Sequence, residues 1–253
     1  MEILGLPAFR DNYIWLLQNG RCAVAVDPGD EQPVLDHLGR NGLALTAILL
    51  THHHPDHTGG VAGLLARQRV PVYGPAGESI AEVTVPLREG EVVDLPEIGA
   101  SLSVMEVPGH TRGHLAYYGA NALFCGDTLF GCGCGRLFEG SAEQMWASLS
   151  RLAALPPETQ AYCAHEYTQS NLAFALAVEP ENAELKARAE RVAALRNRGR
   201  PTVPLTLAEE LATNPFLRCR EPAVIAAAER RRGGKPAGAG EVFAALREWK
   251  NDF

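Results

Sequence analysis

Thr51-His-His-His-Pro-Asp-His57 follows the apolar run Ala47–Leu50 and places His52, His54, Asp56 and His57 within six positions. Imidazole nitrogen and carboxylate oxygen are ligands for zinc, iron and manganese, and alternate side chains at an extended strand end point the same way. An isolated histidine pair would read as an exposed polar loop. Further donors displace that reading: His110 follows the alternating stretch Leu102–Val107 and a Pro-Gly turn, Asp127 follows Ala122–Gly126, and His165 follows Ala161–Ala164. Each lies just past a predicted strand, and in helix-covered sheets ligands gather outside the strand ends. Seven donors suit two ions rather than one tetrahedral ion. Asp127 is the natural bridge, because a carboxylate has two oxygens and a neutral imidazole one free lone pair. A hydroxide completing the bridge, made available by lowering the pKa of water toward ~7, points to hydrolysis.

Asp27, Thr111 and His114 are placed either to support ligands from behind or to serve plain structure. His53 is expected to point away from its neighbours, and His37 to lie on a surface helix. Six cysteines, Cys22, Cys125, Cys132, Cys134, Cys163 and Cys219, are scattered, with Cys125 and Cys163 in predicted buried strands. A disulfide framework is not expected. The Cys132-x-Cys134 pair has no second pair to complete a tetrahedral soft-metal site.

These donors need a container. A chain of 253 residues, 46% hydrophobic, suits one large domain or a domain with an appendage. No apolar stretch approaches the ~20 residues that cross a bilayer, and the opening residues lack a basic segment followed by an apolar one. A cytoplasmic protein that engages no membrane is the expectation. The formal charge of −7 argues against nucleic-acid binding, which needs a basic surface to release counterions.

Residues 1 to about 165 read as alternating strands and helices. Tyr13–Gln18 and Cys22–Val26 form a hairpin across Asn19-Gly20, followed by a helix over Glu31–Leu38 and the strand that delivers the histidines. Thr58–Arg69 reads as helix, Val70–Tyr73 and Glu91–Leu95 as extended. Ser141–Leu155 is a helix with a Ser141/Gln144 capping box, ended by Pro156-Pro157. Past His165 the pattern turns helical, with no convincing strand: Thr168–Val178, Pro180–Asn197, Leu207–Ala212 behind a Thr206/Glu209 capping box, Pro222–Arg232 and Glu241–Trp249. Residues 233 to 240 read as a flexible connection. Arg247 and Lys250, three apart on the last helix, share a face on which two cations could grip a carboxylate.

The string Thr51–His57 with His110, Asp127 and His165 resembles the metallo-β-lactamase superfamily. Phe9–Trp15, Pro108–His114, Gly131–Gly140, His165–Tyr167, Asn214–Arg218 and Leu246–Lys250 extend the likeness, over nearly the whole chain, to its glyoxalase II (hydroxyacylglutathione hydrolase) family. The resemblance implies an α/β fold: an αββα sandwich carrying two metal ions over residues 1–167, and a C-terminal α-helical domain, 168–253, that binds glutathione. It implies one ion on His52, His54 and His110, the other on Asp56, His57 and His165, with Asp127 between and Asp56 and Asp127 orienting the hydroxide. Zinc is the first expectation, with iron or manganese as alternatives. The implied reaction is hydrolysis of S-D-lactoylglutathione and related 2-hydroxyacyl-glutathione thioesters to D-lactate and glutathione, the second step of methylglyoxal detoxification, by a monomer. Arg136, Phe138, Tyr167, Arg247 and Lys250 take the substrate-contact positions. Many family members carry lysine and tyrosine in the glycine-rich loop where this chain has Arg136 and Phe138; arginine keeps the charge, but Phe138 has no hydroxyl to donate.

The metals alone would also suit a lactonase, another thioesterase, a phosphodiesterase, an iron persulfide dioxygenase, a di-iron oxygen reductase or a non-enzymatic metal-binding protein. The helical tail is the discriminating feature.

Overall fold

Glu2–Ala8 (β1), Asn12–Gln18 (β2) and Cys22–Val26 (β3) run antiparallel, with Trp15 opposite Val26 and Gln18 opposite Ala23. At the β2–β3 turn, Asn19 Oδ1 accepts from the backbone N–H of Arg21 and Cys22. The computed structural model describes residues 1–253 and divides into two units: Met1–Val107 with Arg112–Gly126, and Pro108–Thr111 with Asp127–Phe253.

In the first unit the chain continues through α1 (Glu31–Asn41), β4 (Ala44–Leu49), α2 (Pro55–Thr58), α3 (Val61–Arg67), β5 (Val72–Pro75) and β6 (Val85–Leu87). The sheet order is β1-β2-β3-β4-β5-β6, parallel from β3 onward. A parallel interior strand is covered on both faces and so is apolar throughout; Ile48 and Leu49 of β4 are fully buried. Asp30 caps α1 by accepting from Gln32 N–H, and Gly42, at φ 62°, closes it. Val34 and Leu38, one turn apart, seal that helix onto Leu16, Ala25, Ile48 and Leu64; each such fully buried side chain contributes roughly 1.5–3 kcal/mol. The unit's antiparallel run is β7 (Val92–Leu95), β8 (Ala100–Glu106), β9 (Leu115–Gly119) and β10 (Ala122–Gly126). Tyr117 of β9 donates its hydroxyl to Leu50 O at 2.7 Å, tying this run to the end of β4.

The second unit comprises β11 (Leu129–Phe130), β12 (Gly133–Cys134), α4 (Ala142–Ala153), β13 (Gln160–Cys163), α5 (Thr168–Val178), α6 (Ala183–Arg196), β14 (Leu205–Thr206), α7 (Leu207–Thr213), α8 (Pro222–Arg232) and α9 (Ala239–Asp252). The Ser141/Gln144 capping box is present. Cys132, Leu172, Ala175, Leu185 and Val192 pack as one apolar cluster, and Phe216 stacks on Phe174 at 5.8 Å and meets Phe243 edge-to-face at 5.6 Å.

Several sequence expectations need correction. Thr58–Arg69 is not one helix: Gly59 and Gly60 separate α2, whose turn carries Asp56 and His57, from α3. β1 and β6 carry Pro7 and Pro86; edge and terminal strands tolerate proline, which hides them from a pattern search. Val70–Tyr73 shifts to Val72–Pro75. The helical region does contain a strand, the two-residue β14, paired with β13. The second capping box is half formed: Thr206 accepts from Glu209 N–H, but the Glu209 carboxylate instead meets Arg188 and Arg191. The glycine-rich stretch after Asp127 is a small hairpin, β11–β12.

Candidate metal centre and anion cleft

In the first unit, β4 ends at Leu49 and Thr51 anchors the segment that follows. Thr51 donates N–H and Oγ1–H to Asp27 at 2.8 and 2.7 Å. His52 Nδ1 lies 3.1 Å from the same hydroxyl. Since that hydroxyl has spent its proton on Asp27, His52 Nδ1 must be the donor, which leaves a lone pair on Nε2. That lone pair faces His54 Nδ1 at 3.0 Å. His114 stacks on His52 at 4.6 Å, fixing the ring from its other side. His54 then starts α2, whose turn carries Asp56 and His57, with His57 Nε2 3.6 Å from Asp56 Oδ2. Asp27 Oδ2 lies 3.0 Å from His57 Nδ1, and Asn12 Nδ2 donates to Asp56 Oδ2 at 3.0 Å. Gly29 is obligatory at this point: a Cβ there would lie 1.9 Å from the Asp56 carbonyl oxygen.

In the second unit, His110 Nδ1 donates to the Arg136 carbonyl at 2.9 Å, leaving the His110 Nε2 lone pair 3.4 Å from Asp127 Oδ2. The other carboxylate oxygen, Oδ1, lies 3.4 Å from His165 Nε2. Each Asp127 oxygen thus faces a different imidazole. A charge-assisted hydrogen bond would draw these atoms to about 2.7–2.9 Å, whereas two donors on one tetrahedral ion, each ~2.0–2.1 Å from it, stand about 3.3–3.4 Å apart. A neutral Nε2 facing a carboxylate would call for a cation between them, and the separation suits a metal. His110, Asp127 and His165 are buried. Tyr167 stacks on His165 at 4.7 Å and 4°, and Phe138 meets His110 edge-on at 5.2 Å. Gly135 lets the hairpin close over the ligand, since a Cβ there would lie 2.0 Å from Asp127 O.

His110 and Asp127 also line a cleft of about 510 Å³ with Arg136, Phe138, Tyr167, Arg247, Lys250 and Phe253. None of Arg136, Arg247 and Lys250 is within ion-pairing reach of a carboxylate. Burial lowers the Lys250 pKa, and the neighbouring Arg247 and Arg136 charges lower it further. Burial raises that of the Cys134 thiol, against the pull of Arg247. Arg247 is 5% exposed, not on a solvated face: Nη1 donates to Cys134 O at 3.0 Å and Nη2 to Asn251 Oδ1 at 3.1 Å. Its Nε–H has no acceptor. Three cations with an orphaned buried donor make an anion site. A larger hollow of about 680 Å³ elsewhere in this unit has its inner charges, Arg218 and Glu179, already paired at 2.8 Å.

The structure gathers His52 with His54, Asp56 with His57, and His110 and His165 around Asp127. It places all five expected substrate contacts, Arg136, Phe138, Tyr167, Arg247 and Lys250, on one cleft. His37 is a surface residue bonded to Gln18, and His53 turns to Glu78 at 2.9 Å, whose other oxygen accepts from Gly113 N–H. Asn12 and Glu78 were missed, because an amide or carboxylate far away in sequence leaves no spacing signal.

The family model for the metallo-beta-lactamase superfamily matches residues 8–165, and that for the hydroxyacylglutathione hydrolase C-terminus matches residues 166–253. The chain is 52% identical to a hydroxyacylglutathione hydrolase of Nitrosomonas europaea, over 100% of this chain and 97% of the relative. It is 57% identical to one of Alkalilimnicola ehrlichii, over 99% and 98%. Among solved structures it resembles ETHE1 from Myxococcus xanthus, at TM-score 0.69 and 27% identity over 99% of this chain and 92% of that one. The B3 metallo-beta-lactamase BLEG-1, at TM-score 0.66 and 23% identity over 85% and 99%, shares the fold. No helix is long and apolar enough to cross a membrane.

Proposed function

The chain belongs to the hydroxyacylglutathione hydrolase family of the metallo-beta-lactamase superfamily, and on that premise we propose that it hydrolyses S-D-lactoylglutathione and related 2-hydroxyacyl-glutathione thioesters to the hydroxy acid and glutathione. It is a metal-dependent hydrolase with a small-molecule substrate. Its histidine and carboxylate donors, together with the superfamily match, support a dinuclear metal site. The finer assignment follows the ligand order of the sequence: His52, His54 and His110 for one ion, Asp56, His57 and His165 for the other, and Asp127 between them. Zinc suits this donor set, as do iron and manganese. Residues 1–167 are taken as the metal-holding domain and 168–253 as the glutathione-binding one, in a cytoplasmic monomer.

The observation that carries the substrate is the cleft that joins His110 and Asp127 to three cations lacking carboxylate partners. Glutathione bears carboxylates at both ends, so anchoring one of them on Arg247 and Lys250 would leave the thioester free to reach the Asp127 end. The orphaned Arg247 Nε–H gains its acceptor from such a ligand. Phe130, Phe138 and Tyr167 line the apolar side of the cleft. Phe138 supplies no hydroxyl, at a cost of about 1 kcal/mol in affinity, the net worth of one hydrogen bond. Bound divalent ions supply Lewis acidity toward the thioester carbonyl and bring the pKa of water toward neutrality. The leaving thiol, with pKa ~8.5 in the free state, departs as thiolate without a dedicated proton donor.

The test pairs elemental analysis with a thiol-release assay on S-D-lactoylglutathione. Two equivalents of metal with turnover are expected. Turnover of a simple lactone or phosphodiester in preference to the thioester would overturn the substrate; oxygen uptake with one equivalent of iron would overturn the reaction.

A further inference from the structure

Lys250 is not a free surface lysine. Its Nζ lies 5.3 Å from the ring centroid of Phe174 and 5.6 Å from that of Phe253, and the two rings meet edge-to-face at 5.4 Å and 76°. Phe174 is buried in the helical core. Phe253 is not: it is 59% exposed, yet it lines the same cleft as Lys250 and Arg247. Phe253 follows the last residue of α9, three positions past Lys250, and its ring lies beside the Lys250 ammonium. A lone exposed phenylalanine at this point would lose apolar contact with nothing in return; its ring instead closes the second side of a cage whose first side is Phe174.

The consequence for binding is entropic and electrostatic. A lysine side chain has four rotatable bonds, and holding it still for a ligand is normally a cost of binding. Two aromatic faces hold the ammonium by their quadrupoles and leave its remaining N–H directions for an anion.

We propose that Phe253 is a positioning residue of the cleft, caging the Lys250 ammonium so that a carboxylate of the glutathione moiety meets a cation already in place. The proposal rests on the glutathione reading above and adds to it a residue that touches no reacting atom. Three features separate it from a plain wall: it requires an aromatic ring rather than bulk, it acts through Lys250, and it affects binding rather than turnover.

The experiment measures glutathione binding by calorimetry, and S-D-lactoylglutathione kinetics, for the metal-loaded protein and for Phe253→Leu, Phe253→Tyr and Phe253→Trp. Phe253→Leu keeps an apolar side chain and should weaken glutathione about five- to tenfold, raising KM in step while kcat stays within about twofold. Phe253→Tyr and Phe253→Trp should restore the native affinity. In a Lys250→Met background, Phe253→Leu should have no further effect. Equal binding by Phe253→Leu and the native protein, or the same loss with and without Lys250, overturns the cage. A native protein that hydrolyses thioesters but fails to bind glutathione sinks the glutathione reading and the cage together.

Discussion

Asn12 donates its side-chain amide to Asp56 Oδ2 at 3.0 Å, joining the start of β2 to a candidate metal ligand 44 residues later. Asn12 is itself 8% exposed, so its amide is held by packing and holds the carboxylate in turn. Partners that orient a ligand typically command 10–100-fold in metal affinity or activity. Asn12→Ala should therefore weaken metal retention about tenfold or more in competition with a chelator, while the fold stays intact by circular dichroism. Unchanged metal retention would reduce this contact to plain structure.

Asp127 tests the bridge. Replacing it with asparagine keeps the shape but puts an N–H₂ against one of the two imidazole Nε2 atoms now at 3.4 Å. Asp127→Asn should drop bound metal from about two equivalents toward one and cut activity by at least about a hundredfold, the upper end of what even an indirect partner of a ligand commands. Elemental analysis reads the first effect directly. Two retained equivalents would show that Asp127 does not bridge.

Much of this centre was legible in the chain because its donors are strong chemical types placed after apolar runs. His110, Asp127 and His165 each follow a stretch that had to be buried, so their position at strand ends came from hydrophobic pattern alone. The same holds for α5 and α8, whose bounds match expectation because Thr168, Pro222 and Gly233 mark them locally. What escaped depends on partners remote in sequence. Glu209 looked like the second half of a capping box, but Arg188 and Arg191 of α6 compete for its carboxylate. The β11–β12 hairpin is held by Asn171, Glu210 and Asn214, which bond Gly131 O, Cys132 N–H and Gly133 O. Arg247 was expected to share a face with Lys250, but nothing in the local spacing showed that Cys134 O of that hairpin draws it inward.

The Arg188–Glu210 pair is buried on both sides, at 2% and 0% side-chain exposure. Burial opposes the Arg188 charge, but the adjacent Glu210 carboxylate more than offsets it, and the guanidinium pKa is raised. Removing one partner strands the other. Glu210→Ala should destabilise the protein by about 3–5 kcal/mol, whereas replacing both residues with methionine should recover most of that loss. Thermal or urea unfolding measures both. A double variant as unstable as Glu210→Ala would mean that the Glu210 bond to Cys132 N–H dominates, not the stranded charge.

Thiol reactivity should follow burial. Burial, and then the nearby Glu210 charge, pushes the Cys132 pKa up to about 12, and burial raises those of Cys134 and Cys219. Only Cys22 is partly exposed. Since thiolate is the reactive form, iodoacetamide near pH 8 should label Cys22 first in the native protein and the other five only after unfolding, as read by peptide mass mapping. Early labelling of Cys134 would show that the cleft opens more than this structure allows.

Lys250 sets a pH dependence with a definite sign. Burial and the Arg247 and Arg136 charges lower its pKa below 10.5, so the folded protein releases this proton at lower pH than the unfolded chain. Between the two pKa values the unfolded state binds more protons, and the contribution of Lys250 to stability rises with pH across that window, being lost again as pH falls through the folded pKa. Ligand binding has the opposite sign. A carboxylate in the cleft favours the ammonium, so affinity for glutathione should be full on the acid side and decline as pH rises through the lowered Lys250 pKa. KM for the thioester should climb with it, about tenfold per unit once deprotonation is well advanced, if Lys250 is the group responsible. Lys250→Met should bind more weakly at neutral pH and lose that alkaline rise. A rise that persists unchanged in Lys250→Met would assign it elsewhere and remove Lys250 from the anion site.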